Sequence, residues 1–405
     1  MSRIRLIVIG NGMAGMRTVE ELLRVNPNRY DITVFGMEPY GNYNRIMLPS
    51  VLSGEKNLDE IVINDRNWYL KHEITLHIGF EKTIVNIDRI KRQVYAQDGM
   101  VADYDRLLIA TGSKELIAEI PGNTLEGVIS FRNISDVLKM LKYSQSTNKA
   151  VVLGGGLLGL EAANGLMLRG MDVTVIHNNP VLLNRQIDGK VSQLLQLEME
   201  KKGLKFKTDV KVKYLIGDNN DHIMAVYLET GEEIACELFV MAIGVSPNIT
   251  LAQGAGLNCD KGIVVNKTLQ SSDPRIYAVG ECIQYRGDTF GLVAPLYEQA
   301  KVCANHLGGD GTLSYVYLPS ATKLKVTGIN LFSMGDFIGD ENSETIYFSD
   351  TTIGIYKKLV IKANKLVGAI LYGDIQDSVW YQELLEKDVS IADIRDFFIF
   401  GKVVC

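Results

Sequence analysis

Gly10-Asn11-Gly12-Met13-Ala14-Gly15 is the first stretch of this chain whose residue types and spacing can do chemistry. It follows the apolar run Leu6-Ile7-Val8-Ile9 and opens a segment, Met16 to Arg24, that reads as a helix. Strand, glycine turn and helix in that order form a dinucleotide-binding fingerprint. Gly10 permits the tight turn, Gly12 lets the backbone approach a pyrophosphate, and Gly15 lets the helix pack close to the strand. The N–H groups at the helix start have no partner inside the helix and then face phosphate oxygens. One glycine-rich turn alone says little. Here a second copy answers it. Gly154-Gly155-Gly156-Leu157-Leu158-Gly159 begins 144 residues after the first, follows Ala150-Val151-Val152-Leu153, and precedes a helix reaching Leu168. Gly170 is placed to end that helix. Asp172-Val173-Thr174-Val175-Ile176 then repeats the pattern of Asp31-Ile32-Thr33-Val34-Phe35. Two copies of one strand–glycine–helix–strand unit predict two nucleotide sites.

The residues after each second strand bear on what is bound. Glu38 stands at roughly the spacing where an acid meets a ribose hydroxyl, a little later than usual; the alternative is a solvated loop acid. In the second copy that place holds His177, then Asn178 and Asn179, and the nearest arginine is Arg185. No carboxylate is there to repel a 2′-phosphate and no basic clamp to demand one. Both NADH and NADPH are therefore expected as substrates, NADH moderately preferred. His177 is either a polar loop residue or, once protonated near pH ~6.5, an aid to a phosphate.

These motifs need elements to position them. Tyr104 to Gly112, Leu238 to Gly244 and Ile276 to Glu281 read as buried strands ending in small residues, and Ala294 to Leu307 as a helix. Ile74 to Val101 is broken into short strand-like pieces. Asp350 to Asp374 alternates like hairpin strands, Val379 to Phe398 reads as helix, and no glycine fingerprint occurs there. The chain has 405 residues, 46% of them hydrophobic and 22% charged, enough for two or three ordinary cores. A net charge of −6 argues against nucleic acid as the main partner. No apolar run is long enough for a membrane span, and the N-terminus enters a strand directly, as in a chain without a signal peptide. The five cysteines (Cys236, Cys259, Cys282, Cys303 and Cys405) are scattered and read as reduced thiols of a cytoplasmic protein. Neither they nor the five histidines form a metal-binding motif, so no metal site is expected.

With Glu281 included, the pattern resembles the pyridine nucleotide–disulfide oxidoreductases, the two-dinucleotide flavoproteins. Within them it is most similar to the flavin domain of bacterial assimilatory NAD(P)H nitrite reductase large subunits. The resemblance rests on both fingerprints, Tyr43-Asn44-Arg45, Ala110-Thr111-Gly112, Val175-Ile176-His177 and Arg185-Gln186-Ile187-Asp188. It continues through Gly280-Glu281-Cys282, Gly291 to Pro295, Lys323 to Gly328 and Leu371 to Asp374. Glu281 stands where the wider family usually has Asp, as is common in the nitrite reductase branch.

The resemblance implies an α/β fold of two Rossmann-like dinucleotide-binding domains and a C-terminal α+β interface domain. FAD would bind the first (residues 1–114 and 246–312) and NAD(P)H the second (115–245), with 313–405 as the interface or dimerisation domain. Around FAD it places Gly10, Gly12, Met13, Ala14, Gly15, Glu38, Asn44, Arg45, Ile84, Ala110, Thr111, Gly112, Arg132, Gly280, Glu281, Ala294 and Pro295. Around NAD(P) it places Gly154, Gly156, Leu157, Leu158, Gly159, Glu161, His177 and Gly244; Glu161, otherwise a surface helix acid, would approach the nicotinamide. Two departures matter. Disulfide reductases and peroxidases of this superfamily carry cysteine near the first helix, and here none precedes Cys236. No residue of the chain is then a catalytic nucleophile, and electrons leave the flavin directly. Full nitrite reductases also continue into cysteine-rich segments for iron–sulfur and siroheme, without which nitrite itself cannot be reduced.

The expected function is hydride transfer from NAD(P)H to FAD, then electron transfer to a protein redox acceptor. That acceptor would be a nitrite or nitrate reductase component, or rubredoxin or ferredoxin. Rivals are an NADH oxidase or disulfide reductase, which the missing cysteine disfavours, and a slow-turnover redox-sensing flavoprotein. Neither nucleic acid nor membrane is an expected partner, and a homodimer is left open.

Overall fold

The computed structural model describes residues 3–317, 328–350 and 352–402, and the backbone of 322–326. Thr327 and Cys405, and the side chains of Lys323 to Val326, lie outside the described residues. The chain forms two compact units. One comprises Met1–Met47, Asn57–Lys114 and Val245–Tyr317, the other Leu48–Lys56, Glu115–Gly244 and Leu318–Cys405.

The first unit is built on a five-stranded parallel sheet. Its strands run in the order Ile276–Ala278, Arg106–Ile109, Ile4–Ile9, Tyr30–Gly36, Thr75–Ile78. Ile4–Ile9 is central, and its Leu6–Ile9 part is buried on both faces, which is why that part reads as an unbroken apolar run. The following helix, Met13–Val25, starts three residues earlier than its apolar pattern suggested, because the glycine turn itself forms its first turn. Met16, Val19 and Leu22 recur at helical spacing and are buried. Pro27 forces Asn26 out of the helical region, and the helix ends there. It packs on helix Val293–Gly308. Gly308 is required by that contact, since a Cβ on it would lie 2.6 Å from Val25 Cγ1.

The second unit repeats the plan with a parallel sheet in the order Val128–Ser130, Leu238–Met241, Lys149–Leu153, Asp172–His177, Lys205–Thr208. Helix Leu157–Leu168 buries Leu160, Ala162, Ala163 and Leu166, and its Gly165 meets Leu52 of the short helix Leu48–Ser53. Gly170, with φ +91°, turns the chain away after that helix, as its type predicted.

This unit also carries an antiparallel five-stranded sheet in the order Thr322–Val326, Ile329–Gly335, Lys365–Tyr372, Ile355–Lys362, Glu344–Asp350. Helix Ser378–Glu386 covers it over a core that includes Phe332, Leu359, Leu371, Tyr381 and Phe398. The expected helix to Phe398 is thus cut short. Asp388 adopts φ +53°, and the Ile391 amide donates to the Asn364 carbonyl (2.8 Å), so the chain returns to the sheet instead of continuing as a helix. Among the described residues no helix is long and apolar enough to cross a membrane.

Candidate functional site

The two glycine fingerprints fold into the same object. Gly10 has φ +117°, and a Cβ there would stand 2.1 Å from the Ala110 carbonyl oxygen; Gly154 has φ +129° and would meet the Ala242 carbonyl oxygen at 2.3 Å. A Cβ on Gly15 would lie 2.6 Å from the Gly10 oxygen, and one on Gly159 2.0 Å from the Gly154 oxygen. The protein's own packing therefore demands the first and third glycine of each set. The middle ones differ in kind. A Cβ on Gly12 or on Gly156 would meet nothing within 4 Å. Each is an open cradle whose need for glycine comes from a ligand that approaches the backbone.

Helices Met13–Val25 and Leu157–Leu168 start at these open glycines with no side-chain cap and no acidic residue in the first turn. Uncapped N–H groups at the positive end of a helix fit a pyrophosphate. Both cradles thus suit a dinucleotide by geometry and by charge.

Around the first cradle, Glu38 accepts from the Tyr43 hydroxyl (2.8 Å) and pairs with Arg45 (2.5 Å), whose guanidinium lies over the Tyr43 ring. The Asn44 amide donates to the Ile61 carbonyl (2.7 Å), which holds this loop in place. Ala110, Thr111 and Gly112 follow strand Arg106–Ile109, and the Thr111 hydroxyl donates to the Asn248 carbonyl (2.7 Å). Gly280 and Glu281 follow strand Ile276–Ala278, with Glu281 accepting from the Ser113 hydroxyl (2.6 Å). Ala294 and Pro295 lie in the first turn of helix Val293–Gly308, and Ile84 opens strand Ile84–Asp88. Arg132, also expected at FAD, belongs to the second unit, in the turn before helix Ile134–Ser146.

Three residues that the sequence reading passed over also build this site. Gln299 is fully buried and accepts from the Gly280 amide (2.8 Å), fixing the turn before Glu281. Its signal was present: a lone amide on a helix face otherwise formed by Leu296, Ala300 and Cys303. Ser113 and Tyr69 gave no such signal, because their partners lie far away in the sequence.

At the second cradle the His177 ring lies against Gly155, where a Cβ would come within 2.8 Å of it. His177 Nε2 is buried without a hydrogen-bond partner among the described residues, and burial lowers its pKa. The charge expected near pH ~6.5 therefore forms only in more acidic solution. Glu161 sits one turn into its helix, and its carboxyl makes no hydrogen bond or ion pair among the described residues. Burial pushes its carboxyl up to about 7. Gly244, with φ +124°, turns the chain after strand Leu238–Met241, and its carbonyl accepts from the Leu116 amide (3.0 Å).

Hydrogen bonds set the correspondence between the cradles. The Gly10 amide donates to the Phe35 carbonyl and the Gly154 amide to the Ile176 carbonyl, each at 2.8 Å. Counted from there, Gly36 matches His177, Glu38 matches Asn179, Asn11 matches Gly155 and Arg17 matches Glu161.

Cradle, sheet order and register, present twice, define a chain built to hold two dinucleotides. It belongs to the pyridine nucleotide-disulphide oxidoreductase family, whose model matches residues 4–306, and the family binds FAD and oxidises NAD(P)H. A second model, the rubredoxin NAD+ reductase C-terminal domain, matches residues 319–389. The chain is 43% identical to an NAD(P)H nitrite reductase of Bacillus subtilis (strain 168), over 97% of this chain and 48% of that protein. It is also 43% identical to the assimilatory nitrate reductase electron transfer subunit of the same organism, over 97% of this chain and 51% of that protein. It thus spans about half the length of these curated relatives. Among solved structures, NADH:rubredoxin oxidoreductase from Clostridium acetobutylicum superposes with a TM-score of 0.81 at 25% identity, covering 97% of each chain.

Proposed function

We propose that this chain is the NAD(P)H-oxidising flavoprotein part of an electron-transfer system that feeds a nitrite or nitrate reductase component. The observation that carries the reading is the pair of open middle glycines, Gly12 and Gly156, each at an uncapped helix start. Relatives named for nitrite and nitrate reduction at 43% identity supply the acceptor class. The redox chemistry is that of bound FAD, which takes up two electrons from NAD(P)H and releases them to a next carrier.

The chain's own residues bind and orient. Gly10, Gly12, Met13, Ala14 and Gly15 receive the FAD pyrophosphate, and Glu38, Asn44 and Arg45 its adenosine end. Ile84, Ala110, Thr111, Gly112, Arg132, Gly280, Glu281, Ala294 and Pro295 line the rest. Gly154, Gly156, Leu157, Leu158, Gly159 and Gly244 receive NAD(P)H, with His177 at the ribose and Glu161 toward the nicotinamide. Glu161, titrating at about 7, holds or releases a proton in the working range. The division into FAD-binding, NAD(P)-binding and C-terminal interface parts belongs to the same proposal. So does a cytoplasmic setting, in keeping with four free thiols among the described residues.

A second reading, electron delivery to rubredoxin or ferredoxin, is favoured by the C-terminal model match and the rubredoxin reductase superposition. Stopped-flow mixing of the NADH-reduced protein with each candidate acceptor separates the readings. Rapid reoxidation by the nitrite or nitrate reductase component supports the first, and rapid reoxidation by rubredoxin alone replaces it with the second. Slow reoxidation by every acceptor points to a redox sensor and rejects both.

A further inference from the structure

The first cradle carries a buried polar staple that the second lacks. Asn11, between the two cradle glycines, donates through Nδ2 to the Tyr40 carbonyl (3.1 Å) and accepts through Oδ1 from the Tyr69 hydroxyl (2.6 Å). The amide orientation is fixed by chemistry: a carbonyl only accepts, so nitrogen faces Tyr40 and oxygen faces Tyr69. The Tyr69 hydroxyl in turn accepts from the Asn42 backbone amide (3.2 Å), which leaves its own proton for Asn11. Tyr69 is 1% exposed, and burial raises its pKa to about 12, so it stays a donor at any working pH. The chain of bonds runs on from Asn42 Nδ2 to Asn64 (2.8 Å) and from Asn64 Nδ2 to Glu20 (3.0 Å), on the helix that starts at the cradle.

Tyr40 and Asn42 belong to the loop that carries Glu38 and Arg45. Tyr69 lies in a different element, helix Arg66–Lys71, and reaches the turn through its hydroxyl. Two bonds to Asn11 and one to the Asn42 amide therefore pin the adenosine-side loop to the pyrophosphate turn. Gly36 leaves room for this, since a Cβ there would come within 2.8 Å of Asn11 Cβ.

We infer that Tyr69 is a positioning residue for the dinucleotide of the first cradle, acting through Asn11 to hold the Glu38 loop at the distance that FAD needs. This rests on the assignment of FAD to that cradle. Tyr69 itself is expected to touch no ligand. Its loss weakens binding of the adenine dinucleotide half and leaves the flavin ring's own interactions alone.

The test measures dissociation constants of FAD, ADP and FMN on apoprotein re-made from the purified flavoprotein, for wild type, Tyr69→Phe, Asn11→Ala and the double variant. Tyr69→Phe keeps the ring packing and removes one hydroxyl that serves two partners. FAD and ADP should both bind about 5- to 30-fold more weakly, the scale of one or two buried hydrogen bonds. FMN, which lacks adenosine, should bind as to wild type. Asn11→Ala should have an effect of similar size, and the double variant should be no worse than either single one, because both remove the same link. Unchanged FAD and ADP binding in Tyr69→Phe overturns the proposal. So do equal losses for all three ligands, which indicate a general loss of structure, and effects of the two substitutions that multiply. Gly12→Val is the control for the cradle assignment: if it still binds FAD as tightly as wild type, the underlying site reading fails instead.

Discussion

At the first cradle the bulky residue stands on the turn (Asn11) and the small one at the strand end (Gly36); at the second the order is reversed, with Gly155 on the turn and His177 on the strand. The same space is filled either way. A Cβ on Gly36 would lie 2.8 Å from Asn11, and a Cβ on Gly155 would lie 2.8 Å from the His177 ring. The exchange alters chemistry more than packing. Asn11 is satisfied at both ends of its amide by protein groups, whereas His177 Nε2 beside the second turn is buried without a partner among the described residues, as is Asn42 Oδ1 farther along the first cradle's chain of bonds. Six residues beyond each turn's second position the contrast recurs. Arg17 is paired with Glu20 and Glu21 and lies over Tyr297, although its Nε is buried without a partner among the described residues, whereas the carboxyl of its counterpart Glu161 forms no ion pair or hydrogen bond there. Buried polar groups are normally hydrogen-bonded. The difference that remains is at the turn itself: a turn side chain tied to the protein at both ends suits a cofactor that stays, and a turn glycine with no such tie suits a substrate that comes and goes.

The largest effect that breaks this comparison is at the middle glycines. Gly12→Val and Gly156→Val should both fold, since neither Cβ meets protein within 4 Å. Gly12→Val should purify colourless, with FAD affinity reduced on the order of a hundredfold or more, the cost of a clash worth about 3 kcal/mol. Gly156→Val should stay yellow and lose reduction by NAD(P)H. A yellow Gly12→Val protein means that the first cradle is misassigned. The outer glycines should behave alike in both cradles. Gly10→Ala and Gly154→Ala each push a Cβ into a carbonyl oxygen at positive φ and should lose about 3–5 kcal/mol of stability, read by urea unfolding.

Nucleotide choice sharpens the contrast at the strand ends. His177→Glu should harm NADPH use more than NADH use, by roughly 1–3 kcal/mol in kcat/KM at fixed salt. Asn179→Glu tests the other candidate, because the hydrogen-bonded register matches residue 179, not 177, to Glu38. Whichever substitution shifts the NADPH/NADH ratio more marks the residue that faces the ribose, and no shift from either removes both from it.

Glu161 gives a smaller, pH-dependent effect. Burial raises its pKa from 4.5 to about 7 in the folded chain. Between those values the folded protein keeps a proton that the unfolded chain has released. Its contribution to stability is therefore full below about 4.5, declines as pH rises, and is lost above about 7. Glu161→Gln should flatten that decline by about 1–2 kcal/mol. A wild-type profile already flat from pH 5 to 8 places Glu161 in water.

Much of this was legible in the chain. Glycines at fixed offsets after apolar runs identify the cradles, because turn, close approach and helix packing each admit only that residue. Gly170 and Gly244 likewise announce the turns they make. What stayed hidden depends on distance in sequence. Nothing near Asn11 announces Tyr69, 58 residues away, and nothing near Gly280 announces Gln299 except a polar residue on an apolar face. The helix expected over Val379 to Phe398 failed for the same reason: its apolar residues face a core, but the Asn364 carbonyl draws Ile391 back toward the sheet. The offset of Glu38 from the strand end was visible, and its match to Asn179 follows from the pairing of Asp31–Phe35 with Asp172–Ile176, with which the hydrogen bonds agree.

In the proposed function the flavin alone stores the electrons. The cysteines bear on it directly. Burial raises the thiol pKa values of Cys236 to about 12 and Cys282 to about 11, and also raises those of Cys303 and Cys259, which keeps them protonated and unreactive. Anaerobic titration of the purified flavoprotein with NADH, followed at the flavin absorption band, counts the stored electrons. Complete bleaching is expected with one NADH per FAD, in wild type and in a variant with every cysteine replaced by Ser or Ala. A requirement for two NADH per FAD in wild type, falling to one in the cysteine-free variant, would reveal a redox-active disulfide and contradict that expectation.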